Sequence, residues 1–332
     1  MNRAAAPAPA RAHYRAPWWT PGPHLQTIVP ARLLPLPEVP YARERWDTPD
    51  GDFIDVDFAL PAPAAAVAPL LVLFHGLEGD SGAHYARLVM QSCRQRGWRG
   101  LVVHFRGCSG EPNRLPRAYH SGDSAEIDWV LARLAARWPQ ARRFAVGVSL
   151  GGNALAKWAG ERGQSATALV QACVTISAPF DLAAGGAALG RGFNRVYTYH
   201  FLRTLRRKAL AMVARFPGLA DPARIAASRS LFDFDDAFTA PVHGFAGAHD
   251  YWQRASARPW LAAVQVPTLA LCAANDPFVP LESLPTAAEL SRAITLEVPP
   301  AGGHVGFFYA AGRRDPWYLR DRVGAFLEPY AQ

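Results

Sequence analysis

An α/β architecture, a mostly parallel central sheet with helices on both faces and an inserted helical cap, is predicted by three features of the sequence. Apolar strand-like runs alternate with helical stretches from Leu70 to Ser177, the rhythm of βαβ units. That rhythm fails between Asp181 and Val264, where helical, aromatic-rich stretches take over, and it resumes at Pro267. Between these, Phe144-Ala-Val-Gly-Val-Ser149-Leu-Gly-Gly-Asn153 reads as strand, sharp turn and helix, the context in which Gly147-x-Ser149-x-Gly151 becomes a nucleophile elbow.

Residues 1–16 are low-complexity Ala, Pro and Arg and are expected to be a disordered tail. Residues 17–40, with Trp18, Trp19, Leu33 and Leu34, are apolar enough to need a docking surface on the main domain. Around the turn Pro49-Asp-Gly51, Phe53–Phe58 alternates Ile54, Val56 and Phe58 with Asp55 and Asp57. Such a period of two predicts an antiparallel hairpin with one wet face. Leu70–Phe74 is a continuous apolar run suited to a central strand, followed by a helix over 83–96 and a strand over 100–105. Asp123 and Glu126 have the spacing of a capping box for a helix that Pro139 stops. The core, residues 41–180, thus precedes a helical cap over 181–264 and a second core part over 265–332. That last part should hold a strand over 267–273, a helix near 282–291, a strand over 293–298 and a helix over 317–327.

Composition narrows the function classes. The formal charge of +8 comes with only two lysines, Lys157 and Lys208, and with arginines spread along the chain, and no basic run is interleaved with aromatics. Nucleic-acid binding is therefore not expected. Cys93, Cys108, Cys173 and Cys272 form no C-x-x-C pair, and no H-E-x-x-H, Walker-type or dinucleotide-binding glycine motif occurs, so neither metal nor cofactor is predicted. No apolar window reaches signal-peptide or membrane-spanning length, and a soluble cytoplasmic protein is expected.

A serine hydroxyl is a weak nucleophile near neutral pH and needs a base within hydrogen-bond reach, held in one tautomer by an acid. Asp276 follows an apolar strand in Ala274-Asn-Asp-Pro277, and His304 lies in the Gly-flanked loop after the next strand. The order Ser149, Asp276, His304 is that of the α/β-hydrolase fold. Asp276 before Pro277 would also suit an Asx turn, and Asp250 in the cap is the rival acid. Backbone donors for an oxyanion are expected at Leu150, which opens the helix after the nucleophile, and at Leu77, in the loop after Leu70–Phe74. His75 reads as shaping that loop and not as a second base.

Pro17-Trp-Trp19 with Pro23-His-Leu-Gln-Thr27, His75-Gly-Leu-Glu-Gly79 with His84-Tyr85, His104-Phe-Arg-Gly-Cys-Ser-Gly-Glu-Pro-Asn113 with Tyr119-His-Ser-Gly122, and Ser149-Leu-Gly-Gly-Asn153 resemble the YheT-like α/β-hydrolase family from about residue 17 to the C-terminus. The resemblance implies a serine hydrolase acting on carboxylic esters, with its Ser, Asp and His at Ser149, Asp276 and His304.

A small-molecule ester or lipid-like substrate is expected, with the cap selecting acyl chains of roughly four to ten carbons through its apolar side chains. Thioester or amide hydrolysis would use the same three residues. A non-catalytic ligand-binding protein of the same fold is the alternative from another class.

Overall fold

The structure, a computed structural model, describes residues 14–309 and 316–332. Among these residues eight strands form one sheet in the order β1-β2-β4-β3-β5-β6-β7-β8. They are β1 Tyr41–Asp47, β2 Phe53–Ala59, β3 Leu70–Phe74, β4 Arg99–His104, β5 Arg143–Val148, β6 Ala172–Ile176, β7 Thr268–Leu271 and β8 Ile294–Glu297. β2 pairs antiparallel with both β1 and β4, and every pairing from β4 through β3 to β8 is parallel. Parallel strands need crossovers that cover both faces, which is why β3, β4, β5 and β6 are buried along their whole length.

Helices α1 Gly22–Arg32, α2 His84–Arg96, α3 Ser124–Arg137 and α4 Leu150–Arg162 precede the insertion. One face of the sheet packs Tyr85, Val89 and Met90 of α2 with Leu319, Val323 and Phe326 of the C-terminal helix Tyr318–Leu327. The other packs Ile127, Leu131 and Leu134 of α3 with Leu155 and Trp158 of α4.

Between β6 and β7 the chain forms only helices: α5 Leu182–Leu189, α6 Asn194–Arg215, α7 Pro222–Ala227, α8 Leu231–Phe234, α9 Ala240–His243 and α10 Ala248–Ala255, with a π-helical stretch over Asp235–Thr239. Leu202, Ala209, Val213, Ile225, Phe234 and Phe238 give this segment a core of its own. The C-terminal helix Tyr318–Leu327 is α11.

Four local expectations are corrected. β2 has no wet face, because Asp55 and Asp57 are buried in ion pairs with Arg45 and Arg43, their register partners on β1, and Asp57 is also held by Ser81 and His104. Asp123 and Glu126 do not cap α3; their carboxylates are drawn instead to Arg117 and Arg106. No helix spans 282–291, where short 3₁₀ turns at Leu281–Ser283 and Ala287–Glu289 flank Pro285, whose ring and missing N–H oppose a continuous helix. Of the expected tail, residues 1–13 lie outside the described residues, while Tyr14 is buried against Phe307 and Tyr318 and donates to the Phe308 carbonyl at 3.2 Å.

Candidate active site

The turn after β5 holds Ser149 at φ 52° and ψ −118°, a conformation that costs a non-glycine residue about 1–3 kcal/mol. Sterics at the elbow leave room for nothing larger than glycine around it. A Cβ at position 147 would lie 2.7 Å from Gly152 Cα, and one at 151 would lie 2.5 Å from the His75 carbonyl oxygen. The serine side chain is thereby presented above the carboxyl ends of the strands, where open α/β sheets place ligands.

His304 Nε2 lies 3.0 Å from Ser149 Oγ, and its Nδ1 lies 2.9 Å from Asp276 Oδ2 and 3.0 Å from Oδ1. An ionised carboxylate only accepts, so Nδ1 carries the proton and the bare Nε2 accepts from the serine hydroxyl. Asp276 is also anchored by the amides of Phe278 and Val279, at 2.8 and 3.2 Å from Oδ1. The Asx turn and the histidine contact therefore coexist on one carboxylate, and each helps to fix its orientation. Asp250 lies elsewhere, bonded to the Ala246 amide and to Arg254.

Leu77 and Leu150 line the same cavity as Ser149 and His304. Neither amide has a hydrogen-bond acceptor among the described residues. The Leu77 loop passes close to the serine, since a Cβ on Gly76 would sit 3.1 Å from Ser149 Cβ. Its shape is held from several sides. Gly76 N donates to Tyr85 Oη at 3.0 Å, and Glu78, at φ 56°, donates its amide to Tyr119 Oη at 2.8 Å. The Glu78 carboxylate accepts from Tyr119 Oη and, at 2.9 Å, from Lys208 on α6. His75 is wholly buried, donates Nδ1–H to the Gly76 carbonyl and accepts from the Phe105 amide at Nε2. Burial pushes its pKa down to about 3, so it is a neutral strut for the loop.

Side chains that the sequence reading did not single out support the histidine. The His304 amide donates to Thr27 Oγ1 at 2.9 Å, and Gln26 Oε1 accepts from Gly302 N and Asn275 Nδ2 at 2.8 and 2.9 Å. Both belong to α1, which presses on the loop so closely that a Cβ on Gly303 would lie 2.7 Å from Thr27 Oγ1. In α4, Asn153 joins Ser121, Ala255 and Ala257 through three hydrogen bonds and so ties the elbow to the end of the insertion. The quoted motifs contained Gln26, Thr27 and Asn153, but no spacing in the sequence connects residues 26 and 27 with residue 304.

Above the serine lies a cavity of about 850 Å³, with Leu182, Leu189, Phe201, Leu205, Phe238 and Trp252 among its apolar walls. Not every aromatic of the insertion faces it. Phe193 and Tyr199 are exposed, and Phe232 packs on Trp252 and His249. Among the described residues no group of three or more His, Cys, Asp or Glu side chains is arranged to hold a metal ion.

Comparison with known proteins agrees with this architecture. Residues 69–311 match the family model of the alpha/beta hydrolase fold. The Escherichia coli protein YheT, named as a candidate esterase, is 37% identical over 311 residues, covering 93% of this chain and 91% of that one. Human phospholipase ABHD3 is 28% identical, covering 96% of this chain and 78% of its own. Among solved structures, an esterase of Pyrococcus furiosus shares the fold at a TM-score of 0.56 and 15% identity, covering 99% of this chain and all of that one. The chain belongs to the α/β-hydrolase family and, within it, to the YheT-like branch.

Proposed function

We propose that the protein is a serine hydrolase that cleaves carboxylic esters of short to medium acyl chain. The observation that carries this reading is the placement of His304, within hydrogen-bond reach of Ser149 on one nitrogen and of Asp276 on the other, at the floor of a largely apolar cavity. Ser149 Oγ attacks the ester carbonyl while His304 Nε2 takes its proton, and Asp276 stabilises the imidazolium that forms. The amides of Leu77 and Leu150 receive the oxyanion, a contribution worth about 10²–10³ in rate per donor in comparable sites. His304 then returns the proton to the leaving alkoxide, and water, activated by the same nitrogen, releases the acid from the acyl-serine.

An ester with an apolar acyl chain suits these walls, since each methylene buried against Leu189, Phe201 or Phe238 adds up to about 0.8 kcal/mol. The relative named as an esterase supports this class of bond, and the one named as a phospholipase supports a lipid-like substrate. The test is labelling of the intact protein with a fluorophosphonate, followed by peptide mass spectrometry. Modification at Ser149 that competing ester slows is the expected result. Absence of labelling at Ser149 would remove the hydrolase reading and favour a binding protein.

A further inference from the structure

Charge is distributed very unevenly along this chain. Residues 182–220 contain seven Arg and Lys side chains and no Asp or Glu, against a net charge of +8 for all 332 residues. Most of these cations lie on α6. Lys208 is tied to Glu78 and Arg215 to the Asn113 carbonyl, but Arg195, Arg203 and Arg207 have no carboxylate partner among the described residues and are exposed. The same end of α6 also exposes large apolar side chains: Phe193 at its N-cap is 50% exposed, Val196 54% and Tyr199 64%. Val196, Tyr199, Arg203 and Arg207 follow one another at spacings of three, four and four, one stripe down the helix. Phe201, Leu205, Lys208 and Met212, on the opposite stripe, line the cavity.

From this arrangement we infer that the outer face of α6 docks on a bilayer surface bearing anionic lipid headgroups. Such an interface takes both halves of the stripe at once: phosphates meet the unpaired guanidinium groups, while Val196 and Tyr199 leave water for the boundary of the acyl chains. A purely polyanionic partner would satisfy the arginines and leave the valine in water. Arg207, at the end of this stripe, also lines the cavity, so docking would bring lipid headgroups to a residue of the cavity wall. The association itself does not depend on the ester reading.

Sedimentation of the full chain with vesicles tests the inference. Phosphatidylcholine vesicles containing about one-third phosphatidylglycerol should bind at least about tenfold more tightly than phosphatidylcholine alone. Raising NaCl from about 50 to about 500 mM should remove most of that advantage. Val196→Ser with Tyr199→Ser, and separately Arg195→Gln with Arg203→Gln, should each weaken binding about fivefold or more while leaving the thermal transition in place. Equal binding to both vesicle types, or variants that bind like the parent, would overturn the proposal. So would tighter binding to a short DNA duplex, or a dimer in sedimentation velocity that the apolar double variant converts to monomer, since the face would then serve another partner.

Discussion

The backbone amide of His304 donates to the side-chain oxygen of Thr27 at 2.9 Å, joining residues 277 positions apart. Through this bond the N-terminal helix α1 sets the height of the loop that presents the imidazole to Ser149. Thr27→Val keeps the shape but leaves a buried amide unpaired, at a cost of about 1–3 kcal/mol. A fall in kcat of about tenfold with little change in KM is expected, because a base displaced by a fraction of an ångström loses its alignment. Steady-state kinetics beside a thermal melt check this, and a parental kcat would show that α1 does not position the histidine.

Strain at the elbow can be read as stability. At φ 52° and ψ −118° glycine is at ease and alanine is not. Ser149→Gly should therefore be more stable than Ser149→Ala by about 1 kcal/mol, the reverse of their usual order in helices. Both should lack p-nitrophenyl ester hydrolysis. Chemical denaturation of the pair decides, and an alanine variant that is the more stable would argue against strain at this position.

Replacement of Asp276 by Asn keeps the shape but no longer favours the Nδ1–H tautomer of His304. A loss in kcat on the scale of about 10⁴, as for the same change in a serine protease, is expected. Asp250→Asn should have a small effect, since among the described residues Asp250 bonds Arg254 and the Ala246 amide alone. Reversed effects in the two kinetic assays would mean that the insertion supplies the acid.

Burial raises the pKa of Asp235, at the cavity wall, from its ordinary 3.8 to about 6, against the bonds it accepts from Thr239 and Trp252. Between these values the folded state holds a proton that the unfolded chain has released, so this group favours folding below about pH 4 and loses that contribution as pH rises through 6. Asp235→Asn, in which the Thr239 hydroxyl can turn to accept from the amide, should remove the dependence. Relative to the parent, the variant should gain about 2 kcal/mol between pH 4 and 7. Urea titrations at several pH values give the difference, and a constant difference would show that Asp235 titrates normally.

A series of p-nitrophenyl esters probes the apolar walls of the cavity. kcat/KM should rise from acetate, reach a maximum within about four to ten acyl carbons, and then fall as the pocket ends. A maximum at acetate would leave Leu189, Phe201 and Phe238 with no part in acyl binding.

What the sequence determined by itself is whatever depends on near neighbours along the chain. The strand from Phe144 to Val148, the turn at Ser149 and the helix from Leu150 are dictated by apolar periodicity and by Gly147, whose crowding neighbours Gly151 and Gly152 lie within a few residues. Likewise the order of Ser149, Asp276 and His304, each just after a strand, was legible because a parallel sheet brings all its carboxyl ends to one edge. Tertiary structure alone decided the rest. Asp55 and Asp57 alternate like residues of a wet face, yet Arg45 and Arg43 across the ladder allow them to be buried. Asp123 and Glu126 have a cap's spacing, but guanidinium groups from Arg117 and Arg106 offer their charges a stronger partner than backbone amides. Phe193 and Tyr199 read like Phe201, and only the rotation of α6 about its axis leaves the first two in solvent and turns the third toward the cavity. Contacts such as Thr27 with His304 leave no periodic trace, because their partners become neighbours only when the chain closes on itself.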